Sequence, residues 1–410
     1  MTPALLILYS TIALDAVGIG LVFPILPALL QQVSGTADVA PWLGLMAALY
    51  ASMQFVCAPV LGVLSDRLGR RPVLLLSLAG GTLNYLFLAF SPSLGGLLLG
   101  RAIAGLTSAN AAVATAWLTD LTPPAERARR FGLLNAMFGA GFILGPVLGG
   151  SLGHWGVRLP FMAAAALSAM TLLLALAGLP AGRPAAAAAT GEAGPRLTLA
   201  LFNPLTPLRW LRQAPALWPL ALLFFGFSAT GEAYGTCWAL WGSERFHWSP
   251  LWVGLSLGAF GLCQALAQAL LPGLAVRRLG ERGAIALGMG AAMAALLVMA
   301  AAGQGWMVFA VMPMFALGGL GAPALQALAT RQVGEAEQGQ LQGLLTAVVS
   351  LASVIAPLGF TTIYGAVHAG GPGRVWLAVA GLYLLMLPLV ARLGGGPVSV
   401  PGAADVAPAR

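Results

Sequence analysis

The sequence predicts an all-α membrane protein: twelve transmembrane helices in two pseudo-symmetric six-helix bundles. Three observations predict it. The first is composition, since 59% of the 410 residues are apolar and only 8% are charged, against about a quarter charged in soluble domains. The second is segmentation. Apolar stretches of bilayer-spanning length, bounded by charges, Pro and Gly, run near 4–30, 42–62, 73–90, 95–118, 129–152, 158–179, 215–240, 251–275, 284–303, 306–329, 339–364 and 374–394. The third is an internal repeat. Gly62-x-x-x-x-Arg67-Leu68-Gly69-x-Arg71 returns 211 residues on as Gly273-x-x-x-x-Arg278-Leu279-Gly280-x-Arg282, and the same offset carries Gly132-Leu133-Leu134 onto Gly343-Leu344-Leu345 and Pro146 onto Pro357. At 210, Trp42, Gly44, Leu45 and Gln54 fall on Trp252, Gly254, Leu255 and Gln264. A near-constant offset across three helices marks a duplicated six-helix unit, the kind of repeat that places a binding site between its halves at mid-membrane.

Taken in order, span one begins at Ala4 with no basic segment before it and carries Asp15, so it reads as a span and not as a cleaved leader. Spans two and three flank the turn Gly62 to Pro72, which packs Asp66, Arg67, Arg70 and Arg71 into eleven residues. Arginines in a tight turn belong on the cytoplasmic side, where they need not cross the bilayer. Span four opens with Arg101-x-x-x-Gly105, and Asp120 and Arg127 follow it in the next cytoplasmic loop. Span five holds Gly139, Gly141, Gly145, Pro146, Gly149 and Gly150. Small residues four apart permit close helix packing, and Pro146 bends the helix. Between spans six and seven, Pro180 to Gln213 is rich in Ala, Pro, Gly and Arg and too poor in apolar side chains to pack. The predicted organisation is therefore a bundle over 1–179, a cytoplasmic linker over 180–214, a second bundle over 215–396 and a cytoplasmic tail over 397–410. With both termini inside, the cytoplasmic segments hold sixteen arginines and the opposite side three, Arg158, Arg245 and Arg374. That asymmetry sets the orientation across the membrane.

Composition excludes several classes. The net charge of +8 comes from arginine alone, since the chain has no lysine. Those arginines sit in short clusters between apolar spans rather than in one exposed patch, so no nucleic-acid partner is expected. A phosphate-binding loop of the G-x-x-x-x-G-K type is impossible without lysine, which rules out ATP-driven work by this chain alone. Cys57, Cys237 and Cys263 lie in apolar stretches with no pairing or metal spacing, and no two of His154, His247 and His368 fall inside a span. No metal site and no enzyme activity are expected.

Charging a group at mid-bilayer costs several kcal/mol, so intramembrane ionisable residues carry the functional signal. Asp15 lies roughly 16 Å into span one at 1.5 Å per residue. Glu232 lies in span seven, and Arg101 in span four. A buried carboxyl can load and release a proton near neutral pH, which proton coupling requires. The competing reading of Asp15 is a structural hydrogen bond to helix backbone, that of Arg101 a structural ion pair, and that of Glu232 a snorkelling acid. Asp66, Arg67, Arg70 and Arg71 with Asp120 and Arg127 form a candidate gating cluster. The position of Asp66 holds Arg277 in the second repeat, so the locking acid is expected on one side only. Gln54, Asn84, Asn110, Asn135, Gln264 and Gln326, with Tyr234 and Trp238, give a largely neutral polar lining that suits an amphipathic aromatic ligand.

From Leu14 to about Tyr364 the chain resembles the tetracycline-resistance branch of the major facilitator drug:proton antiporters. The resemblance rests on Leu14-Asp15-Ala16-Val17-Gly18-Ile19-Gly20 with Pro24 and Pro27, on Ala48-Leu49-Tyr50-Ala51-x-Met53-Gln54, and on the Gly62 to Pro72 turn. It continues in Gly145-Pro146-x-x-Gly149-Gly150, Pro323-Ala324-Leu325-Gln326 and Gln340-Leu341-Gln342-Gly343-Leu344-Leu345. It implies a major facilitator fold and alternating access. It implies proton-coupled efflux of tetracycline-like or other amphipathic drugs, by a monomer that needs no cofactor beyond the proton gradient. It also makes Gly141, Gly145, Pro146 and Gly149 an antiporter motif that seals the exit side, favouring export over uptake. Departures are specific. The branch implies an acid in span three, a histidine in span eight and an acid in span nine, where this chain has Asn84, Gln264 and Ala292. The alternative is therefore a multidrug or metabolite exporter of the same superfamily with a non-tetracycline substrate.

Overall fold

The computed structural model describes residues 3–180, 205–334 and 337–393, and regular structure among them is helical throughout. Twelve helices among the described residues are long and apolar enough to cross a membrane: Leu5–Val22, Ala40–Leu68, Arg70–Phe90, Leu94–Asp120, Arg129–Trp155, Leu159–Gly178, Pro215–Phe246, Pro250–Leu270, Pro272–Ala301, Gly305–Arg331, Gln338–Gly370 and Arg374–Arg392. The chain is a multi-pass membrane protein. Large apolar side chains such as Leu6, Leu173, Leu270 and Leu385 stay exposed, as lipid-facing residues must.

Three spans depart from the sequence reading. Span one stops at Val22, and a separate helix, Leu26–Ser34, follows. Pro24 and Pro27 account for the break, because proline cannot continue a helix but fits its first turn. Span four is two helices, Leu94–Thr107 and Asn110–Asp120, and span ten is Gly305–Ala316 and Gly321–Arg331 joined by the 3₁₀ turn Leu317–Leu320. The two interruptions are in register: Ser108 and Gly319 lie 211 residues apart, the offset of the repeat. Span four loses helical backbone there, with ψ 92° at Ser108, whereas the 3₁₀ turn of span ten stays in right-handed helical backbone at Leu317 and Leu320.

The linker expected over 180–214 lies outside the described residues as far as 204. Its end does not stay loose, because Thr206–Arg209 and Trp210–Gln213 form helical turns with Trp210 and Leu211 buried. Those two apolar side chains supply the surface that the average composition of the stretch concealed. The tail over 397–410 lies outside the described residues.

Packing divides the chain into two compact units: described residues within Met1–Asn203 with Trp238–Gly261, and those within Pro204–Cys237 with Leu262–Arg410. The core of the first gathers Leu5, Leu8 and Ile12 of span one, Leu74 and Leu78 of span three, and Val113, Trp117 and Leu118 of span four. Spans three and six are laced at both ends. Arg71, at the start of span three, donates to the Leu176 carbonyl at the end of span six at 2.6 Å. Arg158, just before span six, donates to the Ala89 and Ser91 carbonyls at the end of span three at 2.8 and 3.0 Å. Each arginine serves carbonyls that a helix C-terminus leaves without intrahelical donors.

Candidate functional site

In the first unit the interruption of span four places the chemistry. Asn110 opens the second segment, and its Nδ2 donates to Asp15 Oδ1 of span one at 3.2 Å. Side chains from neighbouring spans hold the break. Ser108 Oγ hydrogen-bonds Tyr50 Oη and accepts from Gln54 Nε2, both at 2.8 Å. Ser77 Oγ of span three accepts from the Ala109 N–H at 3.2 Å. These contacts use polar groups that a broken helix would otherwise leave without partners inside a membrane. Asp15 thus bonds a side-chain amide, where the competing reading expected helix backbone. Arg101 forms no ion pair among the described residues, so that structural reading is not met. Tyr50 and Tyr85 each lie within electrostatic reach of both Asp15 and Arg101. Arg101 Nε, Asn84 Oδ1 and Asn110 Oδ1 are buried without hydrogen-bond partners. Such groups are costly, and here they lie on spans three and four, Asn110 at Asp15 itself.

Span five is pressed onto span one through its glycines. A Cβ on Gly141 would lie 2.6 Å from the Ala13 carbonyl oxygen, one on Gly145 2.7 Å from Gly20 Cα, and one on Gly149 2.4 Å from the Leu21 carbonyl oxygen. Gly150 meets the start of span eight instead, and Pro146 meets both spans: a Cβ on Gly150 would lie 2.4 Å from the Pro250 carbonyl oxygen, one on Gly254 2.2 Å from that of Pro146, and one on Gly20 2.7 Å from Pro146 Cδ. Gly139 faces open space and takes no part in this seam.

The gating cluster is smaller than the sequence suggested. Arg70 reaches Asp66 Oδ1, Ser65 Oγ and, through Nε at 3.0 Å, Asp120 Oδ2. Arg127 turns to the Thr122 carbonyl and Arg130 to Glu126. Arg71 goes to span six, as described above. A locking acid was expected in the first repeat alone; in the second, Arg277 bonds the Gly273 carbonyl of its own helix and Glu281 pairs with Arg331 at 2.8 Å.

In the second unit, Glu232 of span seven lies near Ser353 of span eleven. Tyr234 packs against Phe315 with ring centroids 5.5 Å apart. The Gln264 amide lies against Gly319, where a Cβ would meet Nε2 at 2.8 Å. Gln326 donates to Gln342 at 3.2 Å. Gln54 and Gln264, one residue out of the 211 register, therefore touch the interruptions of spans four and ten respectively. Trp238, of the first unit, is 1% exposed, donates to Ser256 Oγ at 2.9 Å and packs on Trp241, so it faces no cavity in this conformation. Asn135 is exposed on span five. Among the described residues no three His, Cys, Asp or Glu side chains group to hold a metal. Tyr85, Ser77, Ser108 and Ser353 were not singled out from sequence, where a tyrosine or serine in an apolar helix carries no distinguishing signal.

The family model described as the Major Facilitator Superfamily matches residues 8–357 and 233–405. The chain belongs to the major facilitator superfamily. Within it, the chain is 45% identical to the class C tetracycline resistance protein of Escherichia coli, over 95% of this chain and 96% of that one. It is 41% identical to the class G tetracycline resistance protein of Vibrio anguillarum, over 96% and 98%. The crystal structure of the nucleoside transporter NupG shares the fold, with a TM-score of 0.77 at 14% identity over 95% of this chain and all of that one. Membership makes the chain a transporter of small molecules and not an enzyme.

Packing explains one way this facilitator departs from its branch. Ala292 of span nine is fully buried against the interrupted turn of span ten, and a Cβ on Gly318 would come within 2.9 Å of the Ala292 Cβ. Asn84 and Gln264 keep hydrogen-bonding capacity but carry no titratable proton. For the gating cluster, Asp66→Asn is expected to lower the transport rate about fivefold while leaving ligand binding intact, because it weakens a charge-assisted bond to Arg70. Binding to the purified variant, followed by tryptophan fluorescence, checks this. Lost binding with the fold intact would move Asp66 from gate to cavity.

Proposed function

We propose that this facilitator exports tetracycline-like or other amphipathic drugs across the bacterial inner membrane by proton antiport, alternating access between two six-helix repeats. It acts as a monomer with both termini cytoplasmic and uses the proton gradient without a cofactor. The observation that carries the reading is the bond from Asn110 to Asp15 at the interruption of span four. A carboxyl at that place gains or loses a charge-assisted hydrogen bond with each proton. Protonation therefore changes how firmly the second segment of span four is held to span one. Tyr50, Tyr85 and Arg101 form the polar surroundings in which that proton moves. Asn84, Asn110 and Gln54 offer the drug neutral hydrogen-bonding partners in the first unit, as Gln264 and Gln326 do in the second. Glu232, near Ser353, supplies a second carboxyl able to meet a cationic drug.

The absence of titratable side chains at 84, 264 and 292 favours a second reading, a multidrug or metabolite exporter with a different substrate. Drug susceptibility of an efflux-deficient host expressing this chain, tested across tetracyclines, phenicols, quinolones and cationic dyes, decides between them. Resistance confined to tetracyclines supports the first reading, and resistance to other classes alone supports the second. In the same panel Glu232→Gln is expected to reduce resistance to cationic compounds about tenfold and to neutral ones little, the scale of a charged hydrogen bond. Unchanged resistance to every compound would leave Glu232 a bystander.

A further inference from the structure

The two repeats carry one cytoplasmic ion pair with its charges exchanged. Arg70 follows Gly69, whose φ is 92°, and 211 residues on Glu281 follows Gly280, whose φ is 70°. Glycine adopts that left-handed conformation without the cost other residues meet. In both repeats it lets the chain turn sharply and start a new helical stretch with the very next side chain. The partners keep register as well. Arg70 pairs with Asp120 at the end of span four, and Glu281 pairs with Arg331 at the end of span ten, Asp120 and Arg331 again lying 211 apart. The side chain after the glycine is 17% exposed in both pairs, while its partner is 44% exposed in the first and 71% in the second. Position, distance and relative burial persist and only the signs differ. Attraction does not depend on which partner is positive, so exchange of signs preserves the function of a tie while the sequence at each position changes. In a chain with 8% charged residues, two opposite charges placed in register at both ends of the tie point to a retained role. A cavity of about 280 Å³ lined by Glu281, Arg282, Arg331 and Gln332 adjoins the second pair. Solvent access on that side lets the tie break and re-form.

We propose that Glu281 and Arg331 are positioning residues of a second cytoplasmic latch, which ties the start of span nine to the end of span ten and opens during each transport cycle. The latch rests on the alternating access proposed above. Neither residue touches the drug. The first latch has a third member in Asp66, whereas Arg277 bonds the Gly273 carbonyl, so the second latch is one pair and the weaker of the two.

The test compares the parent with Glu281→Gln, Arg331→Gln and the exchanged double variant Glu281→Arg/Arg331→Glu, which gives the second repeat the polarity of the first. Two measurements are made on the full chain: hydrogen exchange of the purified protein, and initial tetracycline uptake by everted vesicles corrected for membrane content. Each single variant is expected to speed exchange in both the 279–282 and 328–332 segments and to lower the maximal uptake rate about threefold, the reach of an exposed to half-buried pair. The KM stays at the parent value. The exchanged variant restores both readouts to within about twofold, as a tie indifferent to sign requires. Singles indistinguishable from the parent, a change in KM instead of rate, or an exchanged variant no better than the singles would each overturn the latch. Hydrogen exchange reports the tie whatever the cargo, so a parent that fails to move tetracycline yet shows paired protection and its recovery counts against the transport reading and not against the tie.

Discussion

Asp15→Asn is expected to reduce proton-driven export about a hundredfold or more, the scale on which removing a positioned proton-transfer group acts. The substitution keeps the size of the side chain and its capacity to accept from Asn110, so the fold stays intact. It removes the one property the amide lacks, a titratable proton. Asp15 and Glu232 are the acids predicted inside spans, and of the two Asp15 lies within electrostatic reach of Tyr50 and Tyr85. Everted vesicles energised by a proton gradient provide the measurement. Downhill equilibration of drug without the gradient serves as a control and should survive. Energised uptake at the parent rate would remove Asp15 from coupling and shift the role to Glu232.

Gly145→Val is expected to abolish transport altogether. A Cβ at 145 would sit 2.7 Å from both Gly20 Cα and the Val17 carbonyl oxygen. Carbon atoms rest about 3.5–4.0 Å apart, and the obstacle is main chain, which has no flexible end to swing aside. Spans one and five would have to separate by about 1 Å along their shared seam. Gly139→Val is the matched control on the same helix, because its Cβ would meet nothing within 4 Å. Membrane content, thermal stability and uptake of the two variants are compared. Equal uptake would mean that the close contact of spans one and five is dispensable.

Much of the architecture was legible because it is written in local chemistry. Apolar length marks spans, and the 211-residue offset marks duplication. The glycine seam was legible as spacing, although only packing separates Gly141, Gly145 and Gly149, which meet span one, from Gly150, which meets span eight, and from Gly139, which meets nothing. The interruption of span four was not legible. Thr107-Ser108-Ala109 contains neither glycine nor proline, and the break is held by Tyr50, Gln54 and Ser77, distant in sequence. The acid of the second repeat was missed for a related reason. It was sought at the position of Asp66 and stands at that of Arg70, and a search for identical residues overlooks an interaction that survives with its signs reversed. Trp238 read as cavity lining because aromatic residues in a span suit a drug, but its indole is occupied by Ser256.

The lacing of spans three and six has a kinematic consequence. Two rods fastened at one end can still pivot and shear, while rods fastened at both ends by opposed ties cannot slide lengthwise past each other. Arg71 resists displacement in one direction and Arg158 in the other. Spans three and six therefore travel as a single plank. Any sliding within the first unit must be taken up by its other spans.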